Sequence, residues 1–213
     1  MDVLKTVKRI ALLSVFILVL SQITAVSNIL DDIQKAFNES YEYEAKKEYS
    51  SAVNVLKGVY DSKSYEINLR IGWLEYLAQQ YEESVKYYQI AVNLMPGAIE
   101  PKFGIVYPLA ALEKWDRVAE QYKDILAIDP QNTYANYRIG LSYYYKADFM
   151  TAYKYFEKVI NLYPFDYYSN LMFAWSNYQL GKTNEAKAIF NKVLLISPAD
   201  TSANSGLKLI KSK

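Results

Sequence analysis

The segment TYANYRIGLSYYYKADFMTAYKYFEKVINLYPFD, residues Thr133 to Asp166, decides the fold. Tyr137, Ile139, Gly140, Tyr143 and Tyr144 recur at three- and four-residue intervals, Lys146-Ala147-Asp148 interrupts them, and Phe149, Ala152, Tyr153, Phe156, Val159 and Ile160 resume the pattern. Spacing of this kind predicts two helices joined by a short turn, each with one apolar face. Pro164 then ends the second helix, because proline lacks an N–H and biases the residue before it away from helical geometry.

Outward from this segment the same layout repeats. Prolines at 96, 130, 164 and 198 stand 34 residues apart, and each closes an apolar phrase: Asn93-Leu94-Met95, Ala127-Ile128-Asp129, Asn161-Leu162-Tyr163 and Leu195-Ile196-Ser197. In the following copy Leu171, Phe173, Ala174 and Tyr178 lead to a turn at Gly181-Lys182, and Ala186, Ile189, Phe190, Val193 and Leu194 form the second pattern. Tyr49, Tyr81, Trp115 and Phe149 open the second helices at steps of 32, 34 and 34, and Thr183 completes the series. The units read as 33–64, 65–98, 99–132, 133–166 and 167–200, with 201–213 long enough for one helix that covers the last hairpin. A fixed period of this size means one supersecondary unit copied along the chain, each copy burying its apolar face against its neighbours.

Small residues stand in the first helices (Gly72, Gly140, Ala174) and in the second helices (Ala52, Ser84, Ala152, Ala186). Four residues after the second set come the large partners Leu56, Tyr88, Phe156 and Phe190, with Tyr122 at the same register in the third unit. With the closing prolines, this pattern resembles the tetratricopeptide repeat family over most of the chain. The early tryptophan of that family is replaced by Asn68, Lys102, Asn136 and Asn170, and the third unit has Val106 where glycine is usual and Pro108 inside its first helix, where a kink is expected. The resemblance implies an all-α, right-handed solenoid of about five stacked helix-turn-helix hairpins and a capping helix.

The resemblance also implies that the first helices line a concave groove for a protein or peptide partner. By register the inward positions are Phe37 and Tyr41; Leu69, Trp73 and Tyr76; Phe103 and Tyr107; Tyr134, Tyr137, Leu141, Tyr144 and Tyr145; and Tyr168, Leu171, Trp175 and Tyr178. Tyr and Trp give large contact area at low entropic cost and keep a polar handle. The charged clamp that some family members use for a terminal carboxylate has no counterpart in this wall of rings. Arg70 and Arg138, one residue after inward positions, could pair with a ligand carboxylate but read first as solvated surface arginines. A wall of rings would also stack on sugars, so a glycan- or cell-wall-binding module is the alternative, and a groove filled by a second copy is another.

At the amino terminus Lys5, Lys8 and Arg9 precede the apolar run Ile10 to Leu20, and Ser21, Gln22 and Thr24 restore polarity. Residues 1–26 have the layout of a signal peptide, with Ala25 or Ser27 for cleavage, or of an uncleaved membrane anchor. Either places the body outside the cytoplasm, periplasmic or extracellular. Cleavage after Ala25 would remove three basic residues and one acidic, turning a net charge of +1 into −1. Such neutrality lacks the electrostatic footprint of a nucleic-acid binder. With no cysteine and no histidine, the commonest metal ligands and thiol nucleophiles are missing. No phosphate loop or nucleophile arrangement appears. Asp31-Asp32 and Glu82-Glu83 suit helix starts, and Asn38-Glu39-Ser40 matches a glycosylation acceptor within a predicted helix. The expectation is an exported, non-enzymatic adaptor with no cofactor and no metal.

Overall fold

The computed structural model describes residues 29–212; the signal or anchor reading of residues 1–26 lies outside the described residues. Among the described residues there are eleven helices and no strand. They are α1 (29–45), α2 (Tyr49–Gly58), α3 (Tyr65–Leu77), α4 (Tyr81–Leu94), α5 (Glu100–Ala111), α6 (Trp115–Ile128), α7 (Thr133–Tyr145), α8 (Phe149–Leu162), α9 (Tyr167–Gln179), α10 (Thr183–Ile196) and α11 (Thr201–Lys211). Among the described residues no helix is long and apolar enough to cross a membrane.

The chain forms two compact units, the first ending at Leu94 and the second beginning at Met95. In the first, Ala36 of α1, Ala52, Val53 and Leu56 of α2, and Ile67, Ile71 and Leu74 of α3 close into one core. In the second, each helix from α5 to α11 packs on the next in chain order. Two of its core clusters are Ala152, Phe156 and Phe173, and then Ala174, Ala186, Phe190, Val193 and Ala203.

The helix starts follow the sequence period through their caps. Ser64, Asn132, Asp166 and Asp200 accept from the backbone N–H three residues on, at 3.3, 3.0, 2.8 and 2.6 Å, each such cap stabilising a helix by roughly 1 kcal/mol. Three of these caps stand two residues after a closing proline. At the equivalent place in the third unit is Ala98, and α5 starts with no side-chain cap. The asparagines that replace the family tryptophan have a definite task. Nδ2 of Asn68, Asn136 and Asn170 donates to the carbonyl of the capping residue at 2.7, 2.9 and 2.6 Å, and also to the carbonyl of residue 62, 130 or 164. Each buried amide therefore pins the turn onto the helix that follows.

The turn inside each hairpin places one residue in the left-handed region: Lys47, Gln79, Glu113 and Ala147 at φ 62°, 61°, 56° and 59°, and Gly181 at 75°. Only Gly181 adopts that conformation without a steric cost. Within the α7–α8 hairpin the helices approach so closely that a Cβ on Gly140 would lie 2.6 Å from the Phe156 ring. Within α3–α4, Ser84 donates to the Gly72 carbonyl at 2.7 Å, so a small side chain serves there both for room and for a hydrogen bond. Pro108 lies inside α5, which continues past it to Ala111.

Candidate functional site

The ring positions sit on the first helices of the hairpins, and the structure sorts them by exposure. In the first unit Trp73 and Tyr76 are half-buried, with ring centroids 5.7 Å apart, and the Trp73 indole N–H donates to Glu44 Oε1 at 2.7 Å. Phe37 packs on the core of the first unit, and Leu69 is half-buried. Tyr41 is exposed, and its ring lies 3.8 Å from the Arg70 guanidinium.

Arg70 corrects the sequence reading. It is 8% exposed, ion-paired with Glu44, and its Nε donates to Ser40 Oγ at 3.2 Å. Three residues of α1 thus enclose it. Counting along α3 could not show this, because the enclosing groups come from the preceding hairpin. Arg138, its counterpart 68 residues on, is half-buried with its guanidinium 5.9 and 6.0 Å from the rings of Tyr122 and Tyr134. Ser40 and Glu44 correspond by turn register to Val106 and Ala110, and among the described residues no carboxylate pairs with Arg138.

In the second unit Tyr107, Tyr134, Tyr145 and Tyr168 are exposed, Tyr145 most of all at 80%. Phe103, Tyr137, Leu141, Tyr144, Leu171, Trp175 and Tyr178 are half-buried. Phe103, Tyr122 and Tyr134 meet edge-on as a triangle. Tyr137 and Tyr168 form a tilted pair at 6.3 Å. Tyr144 stands edge-on to Tyr145 and Phe149. Trp175 lies over Phe190 and donates its indole N–H to Ser202 Oγ at 2.9 Å, so its ring is held by the fold. Burial pushes the Tyr137 and Tyr144 phenols up from the ordinary tyrosine range, keeping both as neutral hydroxyls. Trp73 and Tyr76 belong to the first unit.

Two cavities open beside the exposed rings. One, of about 550 Å³, lies between the leading ends of α7 and α9, lined by Thr133, Tyr134, Tyr137, Val159, Tyr163, Asp166, Tyr168 and Ser169. The other, of about 430 Å³, lies between α6 and α7, with Trp115, Tyr122, Arg138, Leu141, Tyr145 and Lys146 among its walls. Both volumes fall in the range of ligand pockets. Sequence reasoning had Tyr134, Tyr137 and Tyr168 of the first cavity but missed Thr133, Tyr163, Asp166 and Ser169. The period offered a partial signal: the first position of the unit is Tyr65, Ile99 and Tyr167 in the other full-length units and the smaller Thr133 here. Among the described residues no group of three or more acidic side chains is arranged to hold a metal ion.

Comparison with known proteins places this geometry. Residues 134–166 and 167–200 each match a tetratricopeptide repeat family model. Over 103 residues the chain is 33% identical to the TPR repeat-containing protein MJ1428 of Methanocaldococcus jannaschii, a match that covers 45% of this chain and 17% of that protein. The chain therefore spans about a sixth of that relative's length. Among solved structures, a tetratricopeptide repeat protein from Parabacteroides merdae ATCC 43184 superposes with a TM-score of 0.71 at 19% identity, covering 85% of this chain and 73% of that one. The MamA protein superposes at 0.67 and 16% identity, covering 79% and 93%. YrrB, described as a TPR protein with an unusual peptide-binding site, superposes at 0.68 and 14% identity, covering 87% and 96%. At such identities these structures establish the arrangement of helices and nothing finer.

Proposed function

This chain is a tetratricopeptide repeat protein, and from that premise we propose that it is an exported, non-enzymatic adaptor that holds a segment of a protein partner against the tyrosines of its first helices. The carrying observation is in the second unit. Tyr107, Tyr134, Tyr145 and Tyr168, from three successive first helices, stand 48% to 80% exposed, and cavities open beside them. Rings left in water on rigid helices offer contact area that costs little ordering when a partner docks. The basic, then apolar, then polar layout of residues 1–26 supports export.

The test is site-specific crosslinking in the native cell. A photo-crosslinking phenylalanine analogue replaces Tyr145 or Tyr168 in the full chain, and in control chains replaces exposed Lys158 on α8 or Lys187 on α10. The proposal expects a discrete protein adduct from 145 and 168 only, and loss of the same copurifying protein in the Tyr145→Ala, Tyr168→Ala double variant. Equal adducts from all four positions, or none, would remove the tyrosine face as the binding surface. Recovery of the chain wholly in the cytoplasmic fraction would remove export.

A further inference from the structure

Two stations of the repeat, 34 residues apart, share a capping aspartate and differ in the residue that faces it. Tyr167, the first residue of α9, donates its hydroxyl to Asp200 Oδ2 at 2.5 Å, while Asp200 Oδ1 caps α11. One repeat earlier the pair is Thr133, the first residue of α7, and Asp166, whose Oδ1 caps α9 through Ser169 N–H at 2.8 Å. Threonine ends one atom past Cβ, so the ring and its hydroxyl are missing at this station. Among the described residues no donor reaches Asp166 Oδ2. The space is the 550 Å³ cavity, with Thr133, Asp166 and Ser169 in its wall. Ser169 is 1% exposed, and its Oγ has no hydrogen-bond partner among the described residues. A buried hydroxyl without a partner costs stability until something supplies one.

We infer that this cavity receives a tyrosine side chain of the protein partner, an inference that rests on the adaptor reading and names its anchor. The phenol takes the place that a tyrosine at position 133 would occupy, between the rings of Tyr134, Tyr137 and Tyr168. Its hydroxyl donates to Asp166 Oδ2, as Tyr167 does to Asp200, and accepts from Ser169 Oγ. A phenolic hydroxyl is both donor and acceptor, which fits this pair of groups. Guanidinium and ammonium only donate, and a phenylalanine ring would leave the carboxylate facing carbon.

The experiment titrates the full chain with three acetylated, amidated tripeptides whose central residue is tyrosine, phenylalanine or arginine, and with N-acetylglucosamine. Backbone amide NMR of Thr133, Asp166 and Ser169 is the readout. The tyrosine peptide should saturate and shift these amides, binding about tenfold more tightly than the phenylalanine peptide, the factor expected of a hydrogen bond to a charged acceptor. Thr133→Tyr should abolish binding by filling the cavity from within. Asp166→Asn should weaken it about tenfold while still capping α9, since asparagine caps as well as aspartate; this second variant keeps the test decisive if Thr133→Tyr misfolds. Equal affinity for phenylalanine, saturation by the arginine peptide or the sugar in place of tyrosine, undiminished binding in both variants, or no saturable binding overturns the inference. If the tyrosine peptide fails while crosslinks at 145 and 168 persist, the adaptor reading stands without this anchor. If it binds while no crosslink forms, the adaptor reading falls instead.

Discussion

One methyl group at Gly140 measures how tightly α7 and α8 are packed. A Cβ there would lie 2.6, 2.9 and 3.0 Å from three carbons of the Phe156 ring, up to 0.8 Å inside the 3.4 Å at which ordinary contact begins. The ring has no free side to retreat to: Phe156 is fully buried, with Ala152 and Phe173 in its cluster and the Tyr137 ring 5.9 Å away. Two terms oppose each other. Alanine favours an interior helix position over glycine by about 1 kcal/mol, and overpacking a closed core costs about 1–3 kcal/mol. The second wins, so Gly140→Ala should destabilise the second unit by about 1 kcal/mol. In a Phe156→Leu background, where the ring is gone, the same change should stabilise by up to about 1 kcal/mol, a coupling of about 2 kcal/mol between the sites. By register the first unit carries a similar combination, the small Ser40 and the smaller Leu56, sixteen residues apart as here. The assay is urea unfolding followed by fluorescence of Trp115 and Trp175, with Trp73 replaced by Phe so that only the second unit reports. Stabilisation of the parent chain by Gly140→Ala would show that the ring yields freely, and the close-packing argument would fail.

Relief of backbone strain gives a second case: Ala147→Gly should stabilise by about 0.5–1 kcal/mol, and Gly181→Ala should destabilise by about 1 kcal/mol, because both residues sit at positive φ; opposite signs in thermal melts would contradict this. Glu44→Ala should cost about 3 kcal/mol, since it strips the carboxylate from the buried Arg70; a change below about 0.5 kcal/mol in urea midpoints would mean that water replaces the pair. At alkaline pH the hydrogen bond to Asp200, and after it burial, pushes the Tyr167 phenol up to about 12 from 10. The folded state therefore holds a proton that the unfolded state releases above pH 10, and stability should be level below that pH and fall through the interval from 10 to 12. Tyr167→Phe should flatten part of that fall, and an unchanged profile would refute the role of this bond.

The hairpins were legible because proline leaves a mark in sequence that packing cannot erase. Helix ends, the apolar faces and the close pairing of Gly140 with Phe156 all follow from a period that can be counted. What escaped reading comes from contacts between hairpins. Arg70 looked solvated because its three partners lie in α1, some thirty residues away. The missing tryptophans registered as a departure, while the asparagines in their places tie each turn to the next helix. Register told which face carries the rings but not that Trp175 is already engaged by Ser202, nor that Thr133 leaves a hollow beside Asp166.

The left-handed turn residues bear on the order in which the chain organises itself. Four of the five loops hold a residue that takes this conformation only at a steric cost, so they are expected to close late, after the helices have docked. The glycine loop between α9 and α10 can form early and at no steric expense, which makes that hairpin the natural seed from which order spreads along the second unit. Rate measurements on Gly181→Ala would decide the matter: slower refolding with unchanged unfolding marks the seed, and the reverse result moves it elsewhere.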